Sequence, residues 1–283
     1  MVAALFLAAF VASLTSAQNH PTVAYEQTIP DLVDSALATP PELAADILLK
    51  LVERGNIADS KWKHEVLDTA WNLAPLATYA FEIEPAIETT SETESASLST
   101  ALNIGLSTAA LQARIISQVA KLDAKEAREM FRQMHPPEAE SPSCAADRYT
   151  SHRSYFQALK IAADTFSAEE IQNGDKAAFL TDGLRFVANP EDFELSLDIL
   201  INEHSVNDTE FQRLMMQWAG MLADARFSDR LFSSRSLDGI ATPLLYRGDL
   251  RAQAREDAFR ALRSYLVRHA QAERCGESKS NLR

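Results

Sequence analysis

Residues 39–55 read TPPELAADILLKLVERG, and the spacing inside that stretch decides the fold class. Thr39 and Glu42 stand three apart, as in a capping box, and Pro41 falls at the first helical position, where a missing N–H leaves no bond unmade. Leu43, Ile47, Leu48, Leu51 and Val52 come next at the spacing of a single helical face, and Gly55 is the residue that turns left-handed past a helix end. Alternation with period two, the mark of a strand, is missing from the stretch.

The same reading extends in both directions. A helix is expected from about Ser60 to Ala74, with Trp62, Val66, Leu67, Ala70 and Trp71 on its apolar stripe and Pro75 after it, so that 39–74 forms a helical hairpin. The acidic, Ser/Thr-rich FEIEPAIETTSETESAS reads as an exposed loop, followed by a long helix from about Leu98 to Leu122. Asp123 caps the next helix, with Ala127, Met130, Phe131 and Met134 inward and Pro136-Pro137 as its stop.

Beyond a cysteine-containing loop, Tyr155, Phe156, Leu159, Ala162, Ala163 and Phe166 return to helical spacing. Ser167 and Glu170 make another capping box. Helical patterns then cover 175–188, the segment opened by Asn189-Pro190, the run DTEFQRLMMQWAGMLADARF with Asp208 as its cap, and a final helix from about Asp249 to Arg274.

The expectation is an all-α chain of antiparallel hairpins stacked as an irregular α-solenoid of tetratricopeptide or HEAT type, with a compact helical bundle as the alternative. PPELAADILLKL and NPEDFELSLDILIN echo each other, but no 34- or 40-residue period runs through the chain. The organisation reads as a signal peptide (1–17), an N-terminal extension (18–38), helical hairpins (39–135), the cysteine loop (136–147), a helical C-terminal half (148–276) and a tail (277–283).

Charge narrows the function. The net charge of −13 is unevenly spread: residues 18–113 hold 4 Lys/Arg against 14 Asp/Glu, whereas residues 226–283 hold 12 against 7. Nucleic-acid binding is not expected, because phosphate neutralisation needs a concentrated basic surface and the arginines of the last segment sit at the polar positions of a helix. An acidic first half favours a basic protein or peptide as partner.

MVAALFLAAFVASLTSAQ has the form of a secretory leader, with an apolar run from Val2 to Leu14 and small residues before a cleavage point near Ala17. That run is too short to span a bilayer, so no stable membrane span is expected and the mature protein is placed outside the cytoplasm, secreted or periplasmic. No Lys or Arg precedes the run, which points to a start site further upstream. In an oxidising compartment the two cysteines, Cys144 and Cys275, are expected to form a disulfide, with two buried thiols as the other reading. A metal site of Cys144, His152, His269 and Cys275 has suitable ligand types but lacks the close paired spacing of zinc modules.

LATPPELAADILLKLVERGNI, the Cys-x-x-Asp at Cys144 and the near-terminal Arg274-Cys275 together resemble a group of exported bacterial helical proteins with no assigned activity. That resemblance implies export and a helical fold, and brings no catalytic residue with it.

Motifs for chemistry are sparse. The chain has no His-Glu-x-x-His, no Gly-x-Ser-x-Gly, no phosphate loop and no dinucleotide fingerprint, and its six histidines are scattered, reading as surface or helix-end residues. Glu94 is the nearest local candidate for a glycan-cleaving acid, but its polar surroundings cannot raise its pKa as that role demands. Asn207-Asp208-Thr209 matches a glycosylation acceptor and equally a helix start. The expectation is therefore an exported, non-catalytic helical-repeat-like protein that binds a protein or peptide in the cell envelope. No catalytic residue, cofactor or metal is assigned. The alternative is an all-helical hydrolase acting on envelope polymers.

Overall fold

The computed structural model describes residues 28–77, 105–136, 152–187, 190–226, 234–246 and 252–270. Among them every regular element is helical: α1 (Ile29–Leu37), α2 (Pro41–Glu53), α3 (Ser60–Leu73), α4 (Thr108–Val119), α5 (Ala124–Gln133), α6 (Arg153–Ala163), α7 (Ala168–Gln172), α8 (Asp175–Leu184), α9 (Pro190–Ile201), α10 (Asp208–Asp224), α11 (Ser234–Tyr246) and α12 (Ala252–His269), with a 3₁₀ turn at Ala74–Leu76. The all-α class is thus shown. No helix among the described residues is long and apolar enough to cross a membrane.

Several helix starts obey the expected chemistry. Asp123 accepts from the N–H groups of Lys125 and Glu126, and Ser167 and Glu170 form the reciprocal capping box. Gly55 is left-handed, with φ 72°. Other starts differ. No capping box forms at Thr39: Pro40 is the cap residue, and the Thr39 hydroxyl instead donates to the Ala36 carbonyl at the end of α1. Asn207, not Asp208, caps α10, accepting from the Glu210 N–H. Of the helix expected over 98–122, residues 98–104 lie outside the described residues; α4 itself starts at Thr108, with Ser107 as its N-cap and Gly105 before it at a left-handed φ of 63°.

Two helices stand outside the sequence reading. α1 lies in the segment that reads as an N-terminal extension, opened by a Thr28/Asp31 capping box. α11 carries Pro243 in its interior. That proline leaves the Gly239 carbonyl without its helical donor, a cost that hides the helix from a sequence pattern.

Packing runs from each helix to its near neighbours. α1 packs on α2; α2 on α3 and α4; α4 on α3, α5 and α6; α6 on α5, α8 and α9; α9 on α10 and α11; α8 on α7 and α10; α12 on α10 and α11. Among the described residues no substantial packing joins helices more than three apart in chain order. One continuous core threads this order, from Leu48, Leu67 and Leu111 through Ile115, Leu159 and Leu180 to Leu214, Trp218 and Tyr265. Its aromatic part lies where α5, α6 and α8 meet: Phe131 contacts Tyr155 and Phe179 with ring centroids 5.2 Å apart in each case, and Phe166 contacts Phe179 at 5.4 Å. Trp218 is wholly buried and Trp62 and Trp71 pack against the core, so all three tryptophans belong to it.

Candidate functional site

The polar groups that could carry chemistry are gathered at the junctions between helices. At the α2/α4 junction Arg114 lies across two carboxylates: Nη1 is 2.7 Å from Asp46 Oδ1, while Nη2 and Nε reach Glu53 at 2.8 and 3.2 Å. Lys50 joins Asp46 at 2.6 Å. Partial burial opposes the guanidinium charge, but Glu53 and Asp46 more than offset this and hold Arg114 above its ordinary pKa.

At the α5/α7 junction Arg128 pairs with Glu170 at 2.7 Å, donates to the Thr165 carbonyl at 3.2 Å and stacks over the Phe166 ring at 4.2 Å. Glu170 is held below its ordinary pKa, first by the Ser167 backbone N–H and the Ser167 hydroxyl and then by Arg128.

A third group links α8 to the loop between α9 and α10. Lys176 lies at a core-facing position and sets its Nζ 2.7 Å from Glu203 Oε2 and 3.0 Å from Ser205 Oγ. Glu203 Oε1 in turn accepts from the Ser205 N–H at 2.8 Å and from its hydroxyl at 2.5 Å. A serine touching both an ammonium and a carboxylate has the outline of a nucleophile beside a base. Its electrostatics point the other way. Burial works against the Glu203 charge, but Lys176 and Ser205 overcome it and bring the carboxyl below its ordinary pKa, which makes it a poorer proton acceptor. The cluster ties a loop to a helix.

The fourth group is the most deeply set. His152, at the N-terminus of α6, places Nδ1 2.8 Å from Oδ1 of Asp192, which is fully buried in the first turn of α9. One helical turn further on, the Ser196 hydroxyl donates to the Asp192 carbonyl. Ser196 Oγ accepts from the Trp218 indole N–H at 3.0 Å, bringing α10 into the same network. The expected surface or helix-end setting of the histidines is half right here: His152 does stand at a helix end, but its side chain is only 8% exposed.

Four carboxyl groups among the described residues shift clearly, Asp31, Asp123, Glu170 and Glu203, and all four shift downward, whereas a general acid needs the reverse. Glu42, in the first turn of α2, is buried with Oε2 lacking a hydrogen-bond partner. No group of three potential metal ligands occurs among the described residues. His152 and His269 hold separate partners, Asp192 and the Ala225 carbonyl. Cys144, Cys275 and Glu94 lie outside the described residues.

Two features of the sequence could have flagged these junctions. Lys176 sits one turn before Leu180 and two before Leu184 on the buried face of α8. Asp192 and Ser196 interrupt the buried stripe of Phe193, Leu197 and Leu200 on α9. A polar residue at a core-facing position demands a partner, although the sequence does not say which.

The surface offers a different kind of site. α10 carries a shallow open depression lined by Asp208, Thr209, Gln212, Arg213 and Met216, and Met216 is 59% exposed. Compared with family models, with curated proteins and with solved structures, the chain finds no match in any of the three.

Proposed function

We propose that the chain is an exported, non-catalytic protein whose helical pairs stack as an irregular α-solenoid and bind a protein or peptide in the cell envelope. The observation that carries this reading is the packing order. α2, α4, α6, α9 and α11 each pack on the next, so the first helices of successive pairs form a row, and the second helices accompany them. Such a row presents a long surface made of many short elements, the usual platform for an extended partner.

The electrostatics favour a basic partner in the first half. Residues 18–113 carry the largest acidic excess of the chain. Within them Asp31 is held below its ordinary pKa by the Thr28 hydroxyl and N–H, which keeps its charge in place. Export rests on the leader-like residues 1–17, and a Cys144–Cys275 disulfide belongs to the same proposal. Peptide mapping with and without reductant tests the bridge, and free thiols on both residues would remove it.

Cross-linking in the native envelope, followed by recovery of the tagged protein and mass spectrometry, tests the binding role. A stoichiometric partner that is lost when the exposed Glu65 and Asp68 are neutralised is the expected result. Recovery of the protein alone, together with turnover of an envelope glycan or peptide by the purified chain, would replace this reading with the hydrolase.

A further inference from the structure

The two ends of the helix order are unlike each other and suited to each other. At one end α1 packs, among the described residues, on α2, and its apolar stripe is half covered: Ala36 is buried, Ile29, Leu32 and Val33 are partly buried, and Leu37 is 47% exposed. The charges on α1 are Asp31 and Asp34, with no basic residue on the helix. Asp31 is engaged by Thr28, whereas Asp34 faces solvent without a cationic neighbour among the described residues.

At the other end α12 packs on α10 and α11, burying Ala254, Ala258, Ala261, Leu262 and Tyr265. Its outer stripe carries Arg263, Val267 and Arg268, all exposed, with Val267 at 70%. Arg260 is neutralised by Glu256 and Asp257 on its own helix, but Arg263 and Arg268 make no ion pair with a described residue.

We infer that these ends dock on one another between copies, so that the protein associates head to tail, the acidic α1 face of one molecule on the basic α12 face of the next. Each face combines uncovered apolar surface with exposed charge of one sign, and the signs are opposite. Two copies of α1 would set Asp34 against Asp34, and two copies of α12 would set arginines together, so a symmetric pairing through either face is disfavoured. A contact between two different faces of the same molecule does not close on a two-fold axis. It extends into a chain or ring. Head-to-tail docking draws only on the helix order and the two faces, and does not depend on the envelope partner proposed above.

Sedimentation of the full chain across a wide concentration range, in about 20 mM and about 500 mM salt, tests it, since exposed charge pairs weaken as the screening length falls. The expected result is a mass that climbs past the dimer at low salt, without a plateau for an open chain or to a plateau above the dimer for a ring, and falls back at high salt. The decisive arm uses charge exchange. Asp34→Arg combined with Asp31→Asn has two basic ends and Arg263→Glu with Arg268→Glu has two acidic ends, so each is expected to stay monomeric. Mixing them restores opposite charges at every junction and brings association back. Circular dichroism is the check that both variants are folded. A wild type that remains monomeric at low salt, a closed dimer insensitive to salt, or a mixture no more associated than its components would each overturn the inference.

Discussion

The α2/α4 junction and the α6/α9/α10 junction perform the same task by different means. In the first, Arg114 clasps Asp46 and Glu53 at the rim of the core, with its side chain 26% exposed. In the second, His152, Asp192, Ser196 and Trp218 are nearly or wholly shut from solvent. If Arg114 is lost, the buried Asp46 still has Lys50 and Glu53 still reaches solvent, so little is stranded, whereas in the second network each lost partner leaves a buried group short of a bond. The C-terminal junctions should therefore be the brittle part of the molecule and the N-terminal one the forgiving part.

Trp218→Ala tests the brittle side most severely. It removes a fully buried indole and the N–H that Ser196 accepts from, with an expected loss of about 3–5 kcal/mol in chemical denaturation. Lys176→Met is expected to cost about 3 kcal/mol by leaving Glu203 buried without its cation. Adding Glu203→Gln to it should recover part of that loss. A double variant as unstable as the sum of the singles would show that the pair does not act as a unit.

Two glycines sharpen the contrast between packed and yielding contacts. A β-carbon at Gly183 would meet Leu159 Cδ1 at 2.5 Å inside the core, and Gly183→Ala should cost about 1–3 kcal/mol. At Gly239 the same atom would meet the Glu194 carboxyl end, which can swing aside, so Gly239→Ala should shift stability by less than about 1 kcal/mol. Arg114→Ala, on the forgiving side, is expected to cost about 1 kcal/mol at low salt and less at high salt.

Acid gives the smallest and most specific signal. Because folding lowers the Glu203 pKa, its contribution is complete above the ordinary value of 4.5 and is lost as pH falls through the folded value. The melting temperature of the wild type should drop more steeply below that pH than that of Glu203→Gln. Parallel curves for the two proteins would remove Glu203 from the account.

The fold class is legible because apolar spacing is a local property: the stripes of α5 and α6 stand in the sequence as they stand in the structure, whereas on α2 the expected face is rotated, with Leu43 40% exposed and Leu49 fully buried. The Ser107 cap of α4 is hidden because the apolar spacing runs past Gly105 unchanged in the sequence, and only the left-handed φ of that glycine marks the turn before the helix. α11 is hidden because Pro243 outweighs the stripe of Leu237, Ile240 and Leu244 in any local reading, while packing on α9 and α12 outweighs the proline in the fold. The junction clusters are the least legible. His152 and Asp192 are 40 residues apart, and Arg114 and Asp46 are 68 apart, and pairings across such distances are decided by which helices come to lie together.

The short reach of the packing has a consequence for how the chain is made. A helix that touches only its near neighbours has its partners available soon after it leaves the ribosome. α2, α3 and α4 can bury Leu48, Leu67 and Leu111 together before α12 has been synthesised. Loop closure is cheap at each step, so assembly can proceed in the order of translation, pair upon pair. The α12 face would then be the last to form, and until it does the growing chain has an acidic end with no basic end to meet it.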